Sequence, residues 1–270
     1  MPQARSREGT SRFPHTPSPR SRAIGAVSGF VDVHSHVVPS GDDGARSIEA
    51  GLALCLEAAR HGTRVLYATP HVWPSLPLPR PREEAVRAAY SEMAPMLLEH
   101  GLDLRLGWEL TPSEPLLEEE PERYRLGDLP AVLMEVPFHG SLALAERLGA
   151  HVAAAGLTPI IAHPERAERV REAVWAVSAF RERGWLIQVN TTSLLGAHGH
   201  EQEEVAWRLL RGGLADLVAS DGHRMSRPPV LDDAHRLVRS RLGEGAEPLF
   251  DGSALDALVD RDRVDLAQRR

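Results

Sequence analysis

Apolar residues along this chain come in short runs, separated by longer stretches with helical spacing. From Phe30 onward, the runs Phe30–Val33, Val65–Thr69, Leu104–Trp108, Ala131–Val136, Pro159–Ala162, Leu186–Val189 and Leu217–Ala219 have the length and apolar density of buried strands. Between or after them, Ile48–Arg60, Glu83–Glu99, Leu142–Ala155, Glu168–Glu182, Glu203–Arg211 and Asp232–Leu242 repeat apolar positions at helical intervals. Strand then helix, repeated, favours a mostly parallel sheet with helices outside it. Seven such strands in about 200 residues, with no linker between them, predict one closed or nearly closed α/β barrel. Pro-rich Pro74–Pro81 and acidic Glu114–Glu122 read as insertions in loops rather than domain boundaries.

The first residues follow a different pattern. Met1–Arg22 is rich in Arg, Ser and Pro and has no apolar core, so residues 1–28 are expected to form a disordered extension before a single domain at 29–270. The extension lacks the continuous apolar stretch of a secretory signal, and no later segment is long and apolar enough to span a membrane. A transit peptide or a tether to an anionic surface is the alternative use of its charge.

Composition narrows the chemistry. An apolar fraction of 42% is enough for a sizeable core. The formal charge of -7 argues against a nucleic-acid-binding surface, which needs clustered Lys and Arg. It leaves a phosphate substrate open, because bound cations reverse the field inside a pocket. The single cysteine, Cys55, excludes an intramolecular disulfide and fits a reducing cytoplasm. Flanked by Leu54 and Leu56, it reads as a buried structural thiol and not as the thiolate of a cysteine-based phosphatase, which needs an Arg-rich loop.

Nearly every strand candidate ends in a metal ligand or an anion binder. The ends read Asp32-Val-His34-Ser-His36, Thr69-Pro-His71, Trp108-Glu109, Met134-Glu135, Ala162-His163-Pro-Glu-Arg166, Val189-Asn190 and Ser220-Asp221-Gly-His223. In a βα barrel the carboxyl ends of the strands converge on one face, so these residues would meet in one pocket. His34 and His36 project on the same side of a strand, and Asp221 with His223 repeats that spacing. Asp42-Asp43-Gly44 has the composition of a turn; Asp43 becomes a ligand if that loop folds back over the pocket. Glu109 and Glu135 would be ordinary solvated carboxylates alone, but beside the histidines a carboxylate bridging two cations is a natural use. Arg166 and Arg227 are candidates to grip a phosphate through bidentate guanidinium contacts, with a solvated loop residue as the plainer reading of Arg227. His15, His61, His100, His151 and His235 look ordinary. His139, His198 and His200 sit on loops where an approach to substrate stays open, and Trp73 is either rim packing or a stacking surface.

Together, Asp32-Val-His34-Ser-His36 with Asp42-Asp43-Gly44, Ala68-Thr-Pro-His71, His163-Pro-Glu-Arg166, Gln188-Val-Asn190 and Ala219-Ser-Asp221-Gly-His223 resemble the PHP superfamily, named for polymerase and histidinol phosphatase. More narrowly, the chain is similar to that superfamily's bacterial tyrosine-protein phosphatases from capsule and exopolysaccharide loci, over roughly Phe30 to Phe250. The Asp-Asp-Gly, the His-x-Glu-Arg element and Arg227-Pro-Pro favour this subgroup; histidinol-phosphate phosphatases tend to carry His where Asp43 stands. The resemblance implies a distorted (β/α)7 barrel of TIM-like type with three divalent ions, Mn2+ first and Fe, Zn or Mg as alternatives. It places His34, His36, Glu109 and Asp221 around one ion. Glu109 bridges to a second held also by Glu135 and His163, and Asp43, His71 and His223 hold a third. Arg166 and Arg227 match the arginines that hold phosphate. Gly222, between Asp221 and His223, and Val72, where a second histidine is common, depart from the pattern without removing a ligand.

The activity implied is phosphomonoester hydrolysis by a metal-bound hydroxide, with Asp221 or a nearby histidine managing protons. The expected substrate is phosphotyrosine on a bacterial tyrosine kinase that controls polysaccharide export, in the cytoplasm; a homo-oligomer is left open. A small-molecule phosphatase such as histidinol-phosphate phosphatase, and a non-catalytic kinase-binding barrel, are the competing readings.

Overall fold

A computed structural model describes residues 29–268, with the side chains of 261–268 undescribed. The extension expected over residues 1–28, and His15 within it, lies outside the described residues. The first half of the chain runs through β1 (Phe30–Ser35), α1 (Ile48–Arg60), β2 (Thr63–Ala68), β3 (His71–Val72), α2 (Arg80–Leu98), β4 (Asp103–Leu106), β5 (Glu109–Leu110) and β6 (Ala131–Glu135). The second half runs through α3 (Ala143–Ala154), β7 (Thr158–Ala162), α4 (Glu168–Glu172), α5 (Ser178–Glu182), β8 (Leu186–Asn190), α6 (Thr191–Leu194), α7 (His200–Arg211), β9 (Leu217–Ala219), α8 (Asp232–Leu242) and α9 (Ser253–Gln268). All strand pairs are parallel, in the orders β1-β2-β4 and β3-β5-β6-β7-β8-β9. This is an α/β fold built on parallel sheets.

Two of the expected strands are each found in two pieces. The run expected at Val65–Thr69 stops at Ala68 and resumes as β3 after Thr69-Pro70, and that expected at Leu104–Trp108 stops at Leu106 and resumes as β5 after Gly107-Trp108. Pro70 has no N–H to give the ladder. The two breaks lie side by side: Gly107 N–H donates to Ala68 O at 2.8 Å and Glu109 N–H to Pro70 O at 3.1 Å. A side chain at Gly107 would meet Leu126, with its Cδ1 at 2.6 Å and its Cα at 3.0 Å, so only glycine lets the strand turn there. Beyond the breaks, His71 pairs with Glu109 in register.

The helix expected over Glu168–Glu182 is also broken. A 3-10 turn at Val174–Val177 separates α4 from α5, and Ala173 between them is extended (φ -146°, ψ 87°). Val174, Trp175 and Val177 are weaker helix formers than their neighbours, and the break lets Val174 and Val177 be buried while Trp175 faces water. The acidic Glu114–Glu122 segment is two 3-10 turns tied down by buried Leu116 and Tyr124.

Strand residues alternate between two apolar clusters. Leu66, Ala68, Val132, Met134, Ile161, Ile187 and Val218 pack with the helices. Val31, Val33, Val65, Tyr67, Ala131, Leu133, Ile160, Ala162, Leu186, Leu217 and Ala219 form an inner cluster, joined by Leu255 and Leu258 of α9. Along the inner face three strands change from apolar to polar toward or just past their carboxyl ends: Ala131-Leu133-Glu135, Leu186-Gln188-Asn190, Leu217-Ala219-Asp221. With a period of two residues, one face of each of these three strands carries both the core and the site. The free edge of β1 meets the chain just after β9, where Asp221 N–H donates to His34 O at 2.9 Å and His36 N–H to Gly222 O at 2.7 Å.

Candidate metal centre

The polar ends of the strands collect into one buried centre. Between Asp32 and Ser35 the β1 ladder with β2 shifts register, and a bulge of this kind re-aims the side chains beyond it. Val31 and Val33 sit in the inner apolar cluster; past the shift, His34 and His36 face the other ligand candidates. Their Nε2 atoms are 3.2 Å apart. Each lies close to Glu109 Oε2, at 3.0 and 3.3 Å, and each is 3.4 Å from Asp221 Oδ1. His71 Nδ1 is 2.9 Å from the same Glu109 Oε2, and His163 Nε2 is 2.9 Å from Glu109 Oε1.

Three overlapping groups have donor atoms within 4.8 Å of one another: His34-His36-Asp221, His34-Glu109-His163 and His36-His71-His223. Asp43 closes the third from outside. Its half-exposed carboxylate is 3.2 Å from His223 Nε2 and 3.8 Å from His71 Nε2, so the Asp42-Asp43-Gly44 loop does fold back. Glu135 stands apart from these groups, buried next to Glu109 and accepting a hydrogen bond from Thr111 Oγ1. All nine ligand candidates are thus at one end of the inner face.

The donor set fits cations. Glu109 Oε2, His71 Nδ1 and His163 Nδ1 are fully buried and make no hydrogen bond. Glu109 Oε2 and His71 Nδ1 are neighbours at 2.9 Å that still lack hydrogen-bond geometry, so an oxygen and a ring nitrogen present lone pairs to common space. Unsatisfied buried polar atoms are costly; a divalent ion taking imidazole and carboxylate donors removes that cost.

Electrostatics within the centre is uneven. Burial alone would raise Glu109 and Asp221, but the surrounding histidines, His34 foremost, hold both well below the usual carboxylate range. Burial and the neighbouring Glu109 push Glu135 up to about 8. The hydrogen bond from His223 holds Asp43 at about 2. Burial works against protonation of His34 and His36, yet Glu109 and Asp221 outweigh it and raise both. His163 and His223 are lowered by burial, and stay neutral and free to act as ligands.

Backbone conformation marks the same positions. Among the described residues, the non-glycine residues with positive φ are His163 (34°) and Asp221 (53°). Such conformations cost of order 1–3 kcal/mol and persist only where surroundings hold them. Gly222 answers the departure noted in the sequence: a Cβ there would fall 2.5 Å from Pro229 N.

Arg166 and Arg227 approach from the rim. Arg166 Nη1 donates to Asp221 Oδ2 at 3.1 Å, and its guanidinium lies 4.5 Å over the Phe138 ring. Arg227 contacts the His223 ring and comes within 3.8 Å of Asp221 Oδ1. Trp73 stacks on His71 with ring centroids 4.3 Å apart. His198 is half-buried, hydrogen-bonded to Ser193 Oγ at 3.0 Å, and lowered to about 4 by burial and Arg166. His139 is exposed beside Glu168.

Several supporting residues were not assigned roles from sequence. Asp42 is more than a turn former: Oδ2 accepts from His36 Nδ1 at 3.2 Å and from His71 N–H at 3.1 Å, while Oδ1 accepts from Gly44 N–H at 3.1 Å. Phe138 carries no sequence signal, and Glu165 stands in the sequence only as part of the His163-Pro-Glu-Arg166 element; it is fully buried and accepts from Asn190 N–H at 3.0 Å. Gln188 and Asn190 had a signal, since they alternate with Ile187 and Val189 on a strand whose other residues are apolar.

Comparison with known proteins follows the same residues. A family model described as "Capsular polysaccharide synthesis, CpsB/CapC" matches residues 30–251. The chain belongs to the CpsB/CapC family. The match runs from the first strand past Arg227 and takes in every candidate site residue, with nearly the limits expected from sequence. Tyrosine-protein phosphatase YwqE of Bacillus subtilis (strain 168) is 30% identical over 204 residues, covering 73% of this chain and 78% of that protein. Tyrosine-protein phosphatase CpsB of Streptococcus pneumoniae is 28% identical over 243 residues, covering 86% of this chain and 99% of that one. A chain from the crystal structures of YwqE and S. pneumoniae CpsB, described as unique metal-dependent tyrosine phosphatases, superposes with a TM-score of 0.73 at 28% identity, covering 81% of this chain and 90% of its own.

Proposed function

We propose that this CpsB/CapC member is a metal-dependent protein-tyrosine phosphatase acting on a bacterial tyrosine kinase that controls polysaccharide synthesis and export. The observation that carries the reading is the convergence of three donor groups on Glu109 and Asp221, with two arginines at the rim. The names of the relatives support the substrate class. We assign three divalent ions, Mn2+ first, in the sets His34-His36-Glu109-Asp221, Glu109-Glu135-His163 and Asp43-His71-His223. His36 stands close enough to share in the third. The strand arrangement belongs to the same proposal as a distorted (β/α)7 barrel, supported by seven strand lines and the bonds between β1 and residues 221–222. A cytoplasmic setting is supported by the lone thiol. Among the described residues, no helix is long and apolar enough to cross a membrane.

Divalent ions held by these residues would lower the pKa of a coordinated water toward neutrality and offset charge on phosphoryl oxygens. The chain's own groups do the rest. Arg166 and Arg227 hold the phosphate through guanidinium donors, and Phe138 fixes the plane of Arg166 from one face. Both arginines now lean on Asp221, so phosphate would replace a carboxylate partner they already have. Asp221 or a nearby histidine is assigned the proton of the attacking water.

The test is phosphate release from a phosphotyrosyl peptide by purified protein, before and after chelation and on reloading with Mn2+, beside histidinol phosphate. The expected result is chelator-sensitive turnover that favours the peptide. No metal-dependent release from the peptide would overturn the reading.

A further inference from the structure

We infer that Gln188 and Asn190 are positioning residues: a two-amide bridge between His34 and Asp221 that fixes which ring nitrogen and which carboxylate oxygen each presents to metal. The inference rests on the metal centre proposed above and adds residues which that proposal does not use.

The bridge is continuous. His34 Nδ1 meets Gln188 Oε1 at 3.1 Å. Gln188 Nε2 donates to Asn190 Oδ1 at 2.8 Å, and Asn190 Nδ2 donates to Asp221 Oδ2 at 2.8 Å. Every side chain in it is buried, with relative exposures of 0% for His34, Gln188 and Asn190 and 2% for Asp221, so water does not substitute for a missing partner.

Its direction follows from chemistry at one end. An ionised carboxylate only accepts, so Asn190 must turn its NH2 toward Asp221. The Asn190 oxygen then faces Gln188, which must offer its own NH2 there. That leaves the Gln188 oxygen facing His34, and an oxygen is satisfied only by a ring N–H. The proton of neutral His34 is thereby assigned to Nδ1, and Nε2 keeps its lone pair toward Glu109 and Asp221. At the far end, Asp221 Oδ2 is occupied by Asn190 and Arg166. Oδ1 is left facing His34 and His36. Partners of this kind set the tautomer and orientation of metal-bound histidine. Asn190 is itself held by its N–H to Glu165 Oε1 at 3.0 Å.

The isosteric variants Gln188→Glu and Asn190→Asp test this. Each keeps shape but replaces one NH2 by an oxygen, so with the new carboxyl ionised two acceptors face each other somewhere along the bridge. Mn2+ dissociation constants would be measured on the folded proteins by competition with a chelator, together with the unfolding temperature of the metal-free forms. In the wild-type protein, the side-chain NH2 protons of Asn190 and Gln188 would be followed by NMR hydrogen exchange. The expected result is Mn2+ binding weakened by about 10- to 100-fold in each variant, at temperatures far below unfolding, and slow exchange of both NH2 groups in the wild type. A merely structural role would lower the unfolding temperature without moving the dissociation constants. Unchanged constants overturn the bridge, as does fast exchange of either NH2 group, which needs no variant to fold. If the wild type binds no Mn2+ at all, it is the metal centre that fails.

Discussion

Gly222→Ala tests how closely the site loop is packed. The added Cβ would lie 2.5 Å from Pro229 N, 2.6 Å from its Cα and 2.7 Å from its Cβ. Non-bonded heavy atoms prefer about 3.5 Å or more, so the methyl requires roughly 1 Å of movement. Gly222 is pinned on both sides, since its O accepts from His36 N–H at 2.7 Å and its N–H donates to Ser220 Oγ at 3.0 Å. The Pro228-Pro229 segment, with Arg227 just before it, is therefore what gives. Overpacking of this kind costs about 1–3 kcal/mol, or a fall of roughly 2–12 °C in unfolding temperature for a domain this size. A displacement of about 1 Å at Arg227 is expected to lower kcat/KM by on the order of 100-fold. Differential scanning calorimetry and phosphotyrosyl-peptide kinetics check both. Adding Pro229→Ala is not expected to rescue, because the nearest clashing atoms are backbone. A variant within 1 °C and twofold of wild type would refute the reasoning, as would rescue by Pro229→Ala.

Cys55, pushed up to about 12 by burial, is thiolate in about one molecule in 10,000 at pH 8; a thiol reagent should label unfolded protein at once and native protein far more slowly, and equal rates would contradict the burial. Glu135 in the metal-free protein has its carboxyl raised from 4.5 to about 8, so the folded state holds this proton more tightly than the unfolded state does. Stability should therefore fall as pH rises between those values. Glu135→Gln should flatten the slope of metal-free unfolding temperature against pH across that window, and an unchanged slope would remove Glu135 as its source. Arg166→Lys loses the fork and the stacking on Phe138, and with one charge-assisted bond worth about 1.5–3 kcal/mol should lower kcat/KM about 10- to 100-fold. Unchanged kinetics would move phosphate binding elsewhere.

The order of strands and helices, the family and the nine ligand candidates were all legible in the chain. Parallel strands buried on both faces read as apolar runs, and metal donors placed where each run stops announce themselves by contrast. Gln188 and Asn190 carried the same contrast more faintly, as polar residues alternating with Ile187 and Val189. The breaks at Thr69-Pro70 and Gly107-Trp108 were less legible, because each depends on the other: the shift in one strand is accommodated only by a matching shift in its neighbour. The interruption of Glu168–Glu182 likewise has no proline or glycine to announce it.

Sequence alone decided which residue types stand at the strand ends, since spacing along one chain is a local property. Only tertiary structure decided that Asp42 braces His36, that Asp43 reaches His223, that Arg166 lies on Phe138 and that Gly222 must yield its side-chain space to Pro229. Those contacts join residues from different strands and loops. Their distances are set by how the sheets bring the ends together, and no spacing within a single segment encodes that.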